Sequence, residues 1–360
     1  MSLTSPTLLA VVAVLALLFP IGLAITWRMG PGGVVGGFIR FVGILLCQLL
    51  AIGAIGLYAN NTFGFYDDWD DVLGVKAPPP AVIDTAGLVA GDGSQGRVVT
   101  ISVPIPATNP VQKAGVLVWL PKQYDDPANQ SQKFPVLMVL PGQPSNPQDT
   151  MHAFDFASYA SHQIDTGKVK PFIAVFPPIM IAPPRDTECT DIPNGPQAET
   201  WLAKSVRNAV VPKFRVDPAG AKWSVMGFST GGFCAAKVML RNRNEFSAAV
   251  SVGGYFDAET DPTTGELFGG SQQLRNENSP IWLVGQAPTT KTNLLIVVSK
   301  QDSDSWAPGA AYADSSKMIA ATAKVPGVQS MVLPSGGHNY STYTPSVGAI
   351  LQWLGKAGSI

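Results

Sequence analysis

Charged side chains are scarce in this sequence, and histidine and cysteine are scarcer still. Asp, Glu, Lys and Arg make up only 14% of the 360 residues, and the formal net charge is −1. Because the chain has no basic tract, a nucleic-acid partner is not predicted. The three histidines and three cysteines do not follow a zinc-ligand spacing, so the sequence does not suggest a zinc site.

Hydrophobic residues, in contrast, make up 46% of the chain and are concentrated near its beginning. The stretch from Thr7 to Trp27 has no charged residue, and neither does the stretch from Phe41 to Tyr58. Each is close to the roughly 20 residues that a helix needs to cross the hydrocarbon core of a membrane.

We therefore predict a membrane anchor over residues 1–62, with transmembrane helices at about 7–27 and 36–58. A cleaved signal peptide is the alternative explanation for the first stretch. Residues 1–6 carry no Lys or Arg, and a second apolar stretch follows. Both facts favour an anchor over a signal peptide.

The distribution of arginine predicts how the anchor is oriented. Arg28 and Arg40 lie between the two spans, whereas the acidic sequence DDWDD follows the second span at residues 67–71. Positive residues concentrate on the cytoplasmic side of membrane proteins. We therefore predict a multi-pass protein of the cytoplasmic membrane whose catalytic domain is extracytoplasmic.

The remainder of the chain reads as a linker followed by one domain. Residues 63–95 have a linker composition, with the sequence APPP at its centre, and residues 96–360 form the predicted catalytic domain. Two alternating strands come first, at 97–105 and 114–121. Nearly continuous apolar runs follow, as expected of strands buried on both faces; they lie at 134–142, 171–178, 222–229, 247–256 and 293–300, with a last strand at 328–337.

Helical segments separate these strands. They are predicted at 149–164, 198–214, 231–242, 310–322 and 346–357. The alternation of strand and helix indicates an α/β fold, with a mostly parallel central sheet and helices on both faces.

One motif carries chemistry. Gly227-Phe228-Ser229-Thr230-Gly231 matches G-x-S-x-G, and it lies between an apolar strand and a helix rich in small residues. In α/β-hydrolases this context presents a nucleophilic serine on a tight turn. A plain glycine-serine turn without chemistry is the alternative.

A serine nucleophile needs a base and an acid, which this fold supplies later in the chain, the acid before the histidine. His338 is the only histidine after Ser229; His152 and His162 precede it and are expected to be surface or packing residues. Asp302 follows the strand at 293–300 and is the favoured acid. Asp304 is its rival, and Asp257 is a weaker candidate.

An oxyanion hole requires two backbone N–H groups. We expect one from Thr230, directly after the nucleophile, and one from Gln143, in the turn after the strand at 134–142.

The motifs together carry a resemblance to a known family. The strand ending in LPKQY, the hairpin leading into FPVLMVLPG, and the later GFSTGG and GGHNY resemble the esterase D family of α/β-hydrolases over residues 97–357. That family includes feruloyl esterases, other carboxylesterases and mycobacterial mycolyltransferases. The resemblance implies a serine hydrolase or acyltransferase without metal or cofactor, with Ser229, Asp302 and His338 as its triad. It also implies Gln143 and Thr230 as oxyanion donors. Two positions depart from the family pattern. Many members have His where this chain has Pro141, and the mycolyltransferases use Glu as the acid where this chain offers Asp302.

Cysteine and the loop at 185–195 leave alternatives open. Cys47 lies in the second span, so Cys189 and Cys234 are the only pair within the domain. An oxidising compartment permits a disulfide between them, and two buried thiols are the alternative.

The polar loop at 185–195 is expected at the rim of the active site, as part of a substrate pocket or as a plain surface loop. Three of its neighbouring carboxylates either bind sugar hydroxyls or are solvated: Glu188, Asp191 and Glu199.

The sequence thus predicts a membrane-anchored serine esterase or acyltransferase. Its substrate is a carboxylic ester, with lipid and sugar esters of the cell envelope as candidates. An inactive hydrolase domain that serves as a membrane-anchored binding or assembly module is the alternative.

Overall fold

The computed structural model describes residues 5–63, 88–89, 95–108, 111–218, 220–286, 289–302 and 310–360. The chain divides into two compact units, Met1–Ala77 and Pro78–Ile360. Most of the predicted linker lies outside the described residues, as does Asp304. The linker and domain boundaries therefore stay predictions.

The N-terminal unit contains two long apolar helices, α1 (Pro6–Thr26) and α2 (Gly33–Phe63). Ser5 caps α1 by accepting a hydrogen bond from the backbone N–H of Leu8. Both helices are long and apolar enough to cross a membrane. α2 begins three residues before and ends five residues after the predicted span at 36–58.

The second unit is built on a nine-stranded sheet with the order β1-β2-β3-β5-β4-β6-β7-β8-β9. Six neighbouring strands are parallel to one another, namely β5, β4, β6, β7, β8 and β9. The strands β1, β2 and β3 are antiparallel to their neighbours. The strands are β1 (Leu88–Val89), β2 (Arg97–Pro104), β3 (Lys113–Leu120), β4 (Val136–Leu140), β5 (Ile173–Phe176), β6 (Trp223–Phe228), β7 (Ala248–Val252), β8 (Asn293–Ser299) and β9 (Val328–Leu333).

Helices connect the parallel strands. They are α3 (Pro147–Ala153), α4 (Phe156–Asp165), α5 (Ala198–Thr200), α6 (Arg207–Val210), α7 (Thr230–Arg241), α8 (Gln272–Glu277), α9 (Pro280–Gln286), α10 (Ala310–Ala321), α11 (Tyr340–Tyr343) and α12 (Val347–Lys356). A π-helical turn, Trp201–Val206, joins α5 to α6. The predicted helix at 149–164 is two helices, because Asp155 adopts a left-handed backbone conformation with φ 45° and interrupts it.

The sheet is buried on both faces, which explains its continuous apolar runs. Val136 and Met138 of β4 join one core with side chains of α6, α7 and α10, whereas Leu137 and Val139 join a second core with α3, α4 and α12. The expected α/β architecture with a mostly parallel sheet is confirmed. In such sheets, ligands bind at the carboxyl ends of the strands.

A disulfide links Cys189 to Cys234, whose Cα atoms lie 5.7 Å apart. Cys234 is in α7, and Cys189 lies in the long connection after β5. Cys47 of α2 is a free cysteine. The bond therefore ties the loop at 185–195 to the helix that begins directly after Ser229.

Loss of this bond should destabilise the second unit. Closing a loop of 45 residues stabilises a domain by about 4 kcal/mol in the chain-entropy description. We expect the double variant Cys189→Ser/Cys234→Ser to lose about that much free energy of unfolding, measured by chemical denaturation, while the control Cys47→Ser loses little. Thiol counting in denaturant without reductant should find one free thiol; three free thiols would show that the bond does not form.

Candidate active site

Ser229 occupies the sharp turn between β6 and α7. Its backbone has φ 56° and ψ −124°, a combination that non-glycine residues seldom adopt. The N–H of Ser229 donates a hydrogen bond to the carbonyl of Val252 in β7, at 2.9 Å. This bond anchors the turn to the neighbouring strand at the carboxyl edge of the sheet.

Glycines make the turn possible because backbone segments pass close to one another there. A Cβ atom on Gly227 would lie 2.2 Å from the carbonyl oxygen of Gly231, and one on Gly231 would lie 2.4 Å from that of Pro141. Neither position accepts a larger residue without moving the backbone. The G-x-S-x-G pattern is therefore a packing requirement of this turn.

The three predicted triad residues meet at this edge. His338 donates from Nδ1 to Asp302 Oδ1 at 2.7 Å, and its Nε2 accepts from Ser229 Oγ at 2.8 Å. Asp302 follows β8 and His338 follows β9. Three separate strand ends thus supply a hydroxyl, an imidazole and a carboxylate in one hydrogen-bonded row.

This row is shielded from solvent. Asp302 is fully buried, and His338 is 8% exposed. The ring of Phe228 stacks on the imidazole of His338, with 4.9 Å between the ring centroids. A buried carboxylate on one nitrogen and a ring on one face fix the orientation of the imidazole.

The other acid and base candidates lie elsewhere. His152 and His162 are exposed on α3 and α4. Asp257 accepts a hydrogen bond from Ser279 at 2.7 Å. Among the described residues, no group of three or more His, Cys, Asp or Glu side chains is arranged to hold a metal ion.

The expected oxyanion donors lie on two elements that converge on Ser229. Thr230 is the first residue of α7, where backbone N–H groups have no partner within the helix. Gln143 follows Gly142 in the segment between β4 and α3, residues 141–146, hereafter the β4–α3 loop. A Cβ atom on Gly142 would lie 3.1 Å from Cβ of Ser229, so this loop passes directly beside the serine.

A family model named Esterase matches residues 108–354, which is more than two thirds of the chain. The chain belongs to this esterase family. The match confirms the resemblance that the sequence motifs predicted.

One distant relative is a bacterial protein. An uncharacterized protein of Corynebacterium glutamicum is 21% identical over 273 residues, which cover 72% of this chain and 62% of that protein, less than two thirds of its length.

Similar solved structures include a ferulic acid esterase (20% identity, TM-score 0.60, 72% of this chain and 97% of that one) and an S-formylglutathione hydrolase from Agrobacterium tumefaciens (15%, 0.61, 75% and 98%). MPT51 of Mycobacterium tuberculosis is another (16%, 0.53, 72% and 98%). At these identities the likeness establishes the fold.

The loop at 185–195 is not a plain surface loop, because its middle part, residues 186–190, is buried. Asp191 accepts from the backbone and hydroxyl of Thr200 at 2.9 and 2.6 Å. Glu199 accepts from Arg241 and Asn242, both at 2.8 Å. These carboxylates are engaged in hydrogen bonds within the protein, which stabilise the loop and its junction with α7. Sugar binding by them stays a prediction.

Glu188 is the most deeply buried of the three, with 1% of the residue exposed. Its carboxyl accepts from the Tyr255 hydroxyl at 2.7 Å and from the Glu259 N–H at 3.1 Å. Burial raises the pKa of Glu188 to about 8. Lys237 lies beside it, fully buried, with its Nζ donating to Thr190 Oγ1 at 2.9 Å and to the carbonyl of Glu188. Burial lowers the pKa of Lys237 to about 8.

Sequence reasoning missed the aromatic residues that surround the row. Phe228, Tyr340 and Tyr343 all contact His338, Asp302 or each other. Phe228 and Tyr340 belong to the GFSTGG and GGHNY motifs. Their position next to Ser229 and His338 in the sequence was the one signal that could have indicated their place in the site. Nothing in the sequence pairs Tyr343 with Asp302.

The raised pKa of Glu188 makes stability depend on pH. The folded chain holds a proton on Glu188 up to about pH 8, whereas the ordinary value is 4.5. Between these values the folded state binds more protons, so this group's contribution to stability falls as pH rises. Glu188→Gln should therefore flatten the decline in urea midpoint between about pH 5 and pH 8, followed by tryptophan fluorescence. The control Glu259→Gln alters an exposed carboxyl and should keep the wild-type slope. An unchanged slope in Glu188→Gln would show that Glu188 is ionised in the folded protein.

Proposed function

We propose that this esterase-family chain is a membrane-anchored serine hydrolase or acyltransferase of carboxylic esters, with Ser229 as nucleophile, His338 as base and Asp302 as orienting acid. The observation that carries the proposal is the hydrogen-bonded row from Ser229 Oγ through His338 to Asp302, at 2.8 and 2.7 Å. A base within hydrogen-bonding distance of the nucleophile, itself oriented by a third group, is the general requirement for covalent catalysis.

The proposed reaction begins with attack of Ser229 Oγ on the carbonyl carbon of the ester while His338 Nε2 takes the hydroxyl proton. The carbonyl oxygen becomes an oxyanion, which the backbone N–H groups of Thr230 and Gln143 stabilise; each such donor is worth roughly 3 kcal/mol. Collapse of the tetrahedral intermediate breaks the bond to the alcohol, which leaves with the proton from His338. Asp302 holds the imidazole in the required tautomer and stabilises its positive charge.

The second half of the reaction decides between hydrolysis and acyl transfer. An incoming hydroxyl, from water or from an alcohol, gives its proton to His338 and attacks the acyl carbon of the acyl-enzyme. The second tetrahedral intermediate then breaks the bond to Ser229 Oγ, which takes the proton back from His338. An extracytoplasmic location would give the site access to lipid and sugar esters of the cell envelope, and we propose these as its substrates. The supporting feature is the pair of long apolar helices α1 and α2.

Substitution of the proposed triad should abolish activity in a graded way. Ser229→Ala should lower kcat for p-nitrophenyl esters by about 10⁶-fold, and Asp302→Asn by about 10⁴-fold. The neighbouring variant Asp304→Asn is the matched control and should keep most of the activity. Labelling by a fluorophosphonate should occur in wild type and be absent in Ser229→Ala. A severe loss in Asp304→Asn with a mild loss in Asp302→Asn would assign the acid to Asp304.

The same assay separates the enzyme from the inactive binding module. Wild-type protein that neither hydrolyses p-nitrophenyl esters nor reacts with fluorophosphonate would favour the module. Adding sugar acceptors to the active enzyme, and analysing the products by mass, distinguishes acyl transfer from hydrolysis.

The orientation of the anchor is tested with protease. Because Arg28 and Arg40 lie between the spans and the acidic residues follow the second, the hydrolase domain should face outward. Protease added to intact spheroplasts should digest the domain and leave a cytoplasmic marker protein intact. Protection of the domain until the cells are lysed would reverse the proposed topology.

A further inference from the structure

Two tyrosines follow His338 on the single turn of helix α11. Tyr340 begins the turn and Tyr343 ends it, three residues apart, so both side chains lie on one side of the helix. Asn339 caps the turn by accepting a hydrogen bond from the Thr342 N–H at 2.9 Å. The proposed mechanism uses neither tyrosine, yet each contacts a different part of the site.

Tyr343 is fully buried and holds the proposed acid. Its hydroxyl donates to Asp302 Oδ2 and accepts from the Ser299 N–H at 3.0 Å. Since Oδ1 of Asp302 accepts from His338, both carboxylate oxygens have assigned partners. A buried carboxylate with only one partner would be less stable and free to rotate. The Tyr343 hydroxyl thus fixes the plane in which Asp302 meets the imidazole.

Tyr340 holds the opposite side of the site. Its ring packs against Phe228 and Phe154, at centroid distances of 4.4 and 4.9 Å. Its hydroxyl lies 2.9 Å from Thr150 Oγ1. Burial raises the pKa of Tyr340. Thr150 Oγ1 lies in turn 3.4 Å from Ser145 Oγ in the β4–α3 loop. The Tyr340 hydroxyl is therefore linked through Thr150 of α3 to the β4–α3 loop.

This bridge bears on the proposed oxyanion hole. The β4–α3 loop holds Ser145, which the Thr150 hydroxyl links to Tyr340, and it also holds Gln143. Gly142, directly before Gln143, lies against Ser229. A loop that carries one oxyanion donor is thereby tied to the helix that follows the base. A displacement of about 1 Å in such a donor can cost a hundredfold in rate.

We propose that Tyr340 and Tyr343 are positioning residues of the active site: Tyr343 fixes Asp302 against His338, and Tyr340 fixes the β4–α3 loop that carries the Gln143 N–H. This inference rests on the proposed function of Ser229, Asp302 and His338. It adds that the two hydroxyls have separate roles. Loss of the Tyr343 hydroxyl weakens the alignment of the base, and loss of the Tyr340 hydroxyl weakens the oxyanion hole.

The role of Tyr343 is tested with Tyr343→Phe in the full chain in detergent micelles. We expect kcat for p-nitrophenyl acetate to fall about 10- to 100-fold with KM nearly unchanged, because a misaligned base slows chemistry and leaves binding intact. The downfield proton NMR resonance of His338 Nδ1–H, on its bond to Asp302, should shift or disappear. If this variant does not fold, Tyr343→3-fluorotyrosine keeps the packing and changes the strength of the donor, and the same resonance should shift.

The role of Tyr340 is tested with Tyr340→Phe and phenylboronic acid. The boronate forms a tetrahedral adduct on a serine nucleophile and resembles the oxyanion intermediate. We expect kcat and the affinity for phenylboronic acid to fall by a similar factor, about 10- to 100-fold, with KM nearly unchanged. The downfield resonance of His338 should stay as in wild type. A loss of activity without loss of boronate affinity would overturn this role.

Tyr124→Phe is the matched control, since Tyr124 lies beyond β3, which runs antiparallel to β5 and so ends at the opposite edge of the sheet. Its hydroxyl accepts from the backbone N–H of Arg215 at 3.3 Å.

Either variant, Tyr340→Phe or Tyr343→Phe, that stays within twofold of this control in kcat would overturn the proposal for that residue. If wild type neither hydrolyses esters nor reacts with fluorophosphonate, the proposed function is wrong. The NMR comparison then still decides whether Tyr343 positions Asp302: an unchanged resonance overturns it and a shifted one supports it.

Discussion

The backbone of Ser229 is the constraint on which the rest of the site depends. Its φ of 56° and ψ of −124° place it in a region that costs about 1–3 kcal/mol for a residue with a side chain. The hydrogen bond from its N–H to Val252 holds it there, together with the close approach of β6 and α7 that Gly227 and Gly231 allow. This backbone conformation directs the Ser229 hydroxyl away from the sheet and toward His338.

A turn under strain needs a helix behind it that does not move. Helix α7 is buried along nearly its whole length, and three of its side chains tie it to the segment after β5. Cys234 forms the disulfide with Cys189, Lys237 donates to Thr190, and Arg241 pairs with Glu199. These contacts occur on successive turns of the helix. The inward-folded loop at 185–195 therefore braces α7, and its polar residues from Asp186 to Thr190 are buried.

The features that sequence could predict are those that depend on local pattern and chain order. Each buried strand appears as a continuous apolar run because helices cover both faces of the sheet. Ser229, His338 and Asp302 were identified because the fold places nucleophile, acid and base in a fixed order, and the geometry brings these three residues together. Their catalytic roles stay predictions.

The features that sequence could not predict depend on long-range side-chain pairing. The hydrogen bond between Tyr343 and Asp302 joins residues 41 positions apart, and neither neighbourhood has a pattern that shows it. Glu188 stands in a polar stretch that looks like a surface loop. In the folded chain it is buried and accepts a hydrogen bond from Tyr255, 67 positions later. The break between α3 and α4 arises from the left-handed backbone of one aspartate, Asp155, within a segment whose helical periodicity is otherwise good.

The most direct test of the central claim is to trap the acyl-enzyme and locate it. The full chain in detergent is mixed with a p-nitrophenyl ester, the reaction is quenched with acid within one turnover, and the digested protein is mapped by tandem mass spectrometry. If Ser229 is the nucleophile held by His338 and Asp302, the acyl mass will be found on Ser229, and it will be absent from Ser229→Ala. An active protein with its acyl group on another residue, or with no acyl intermediate in the burst phase, would contradict the assignment.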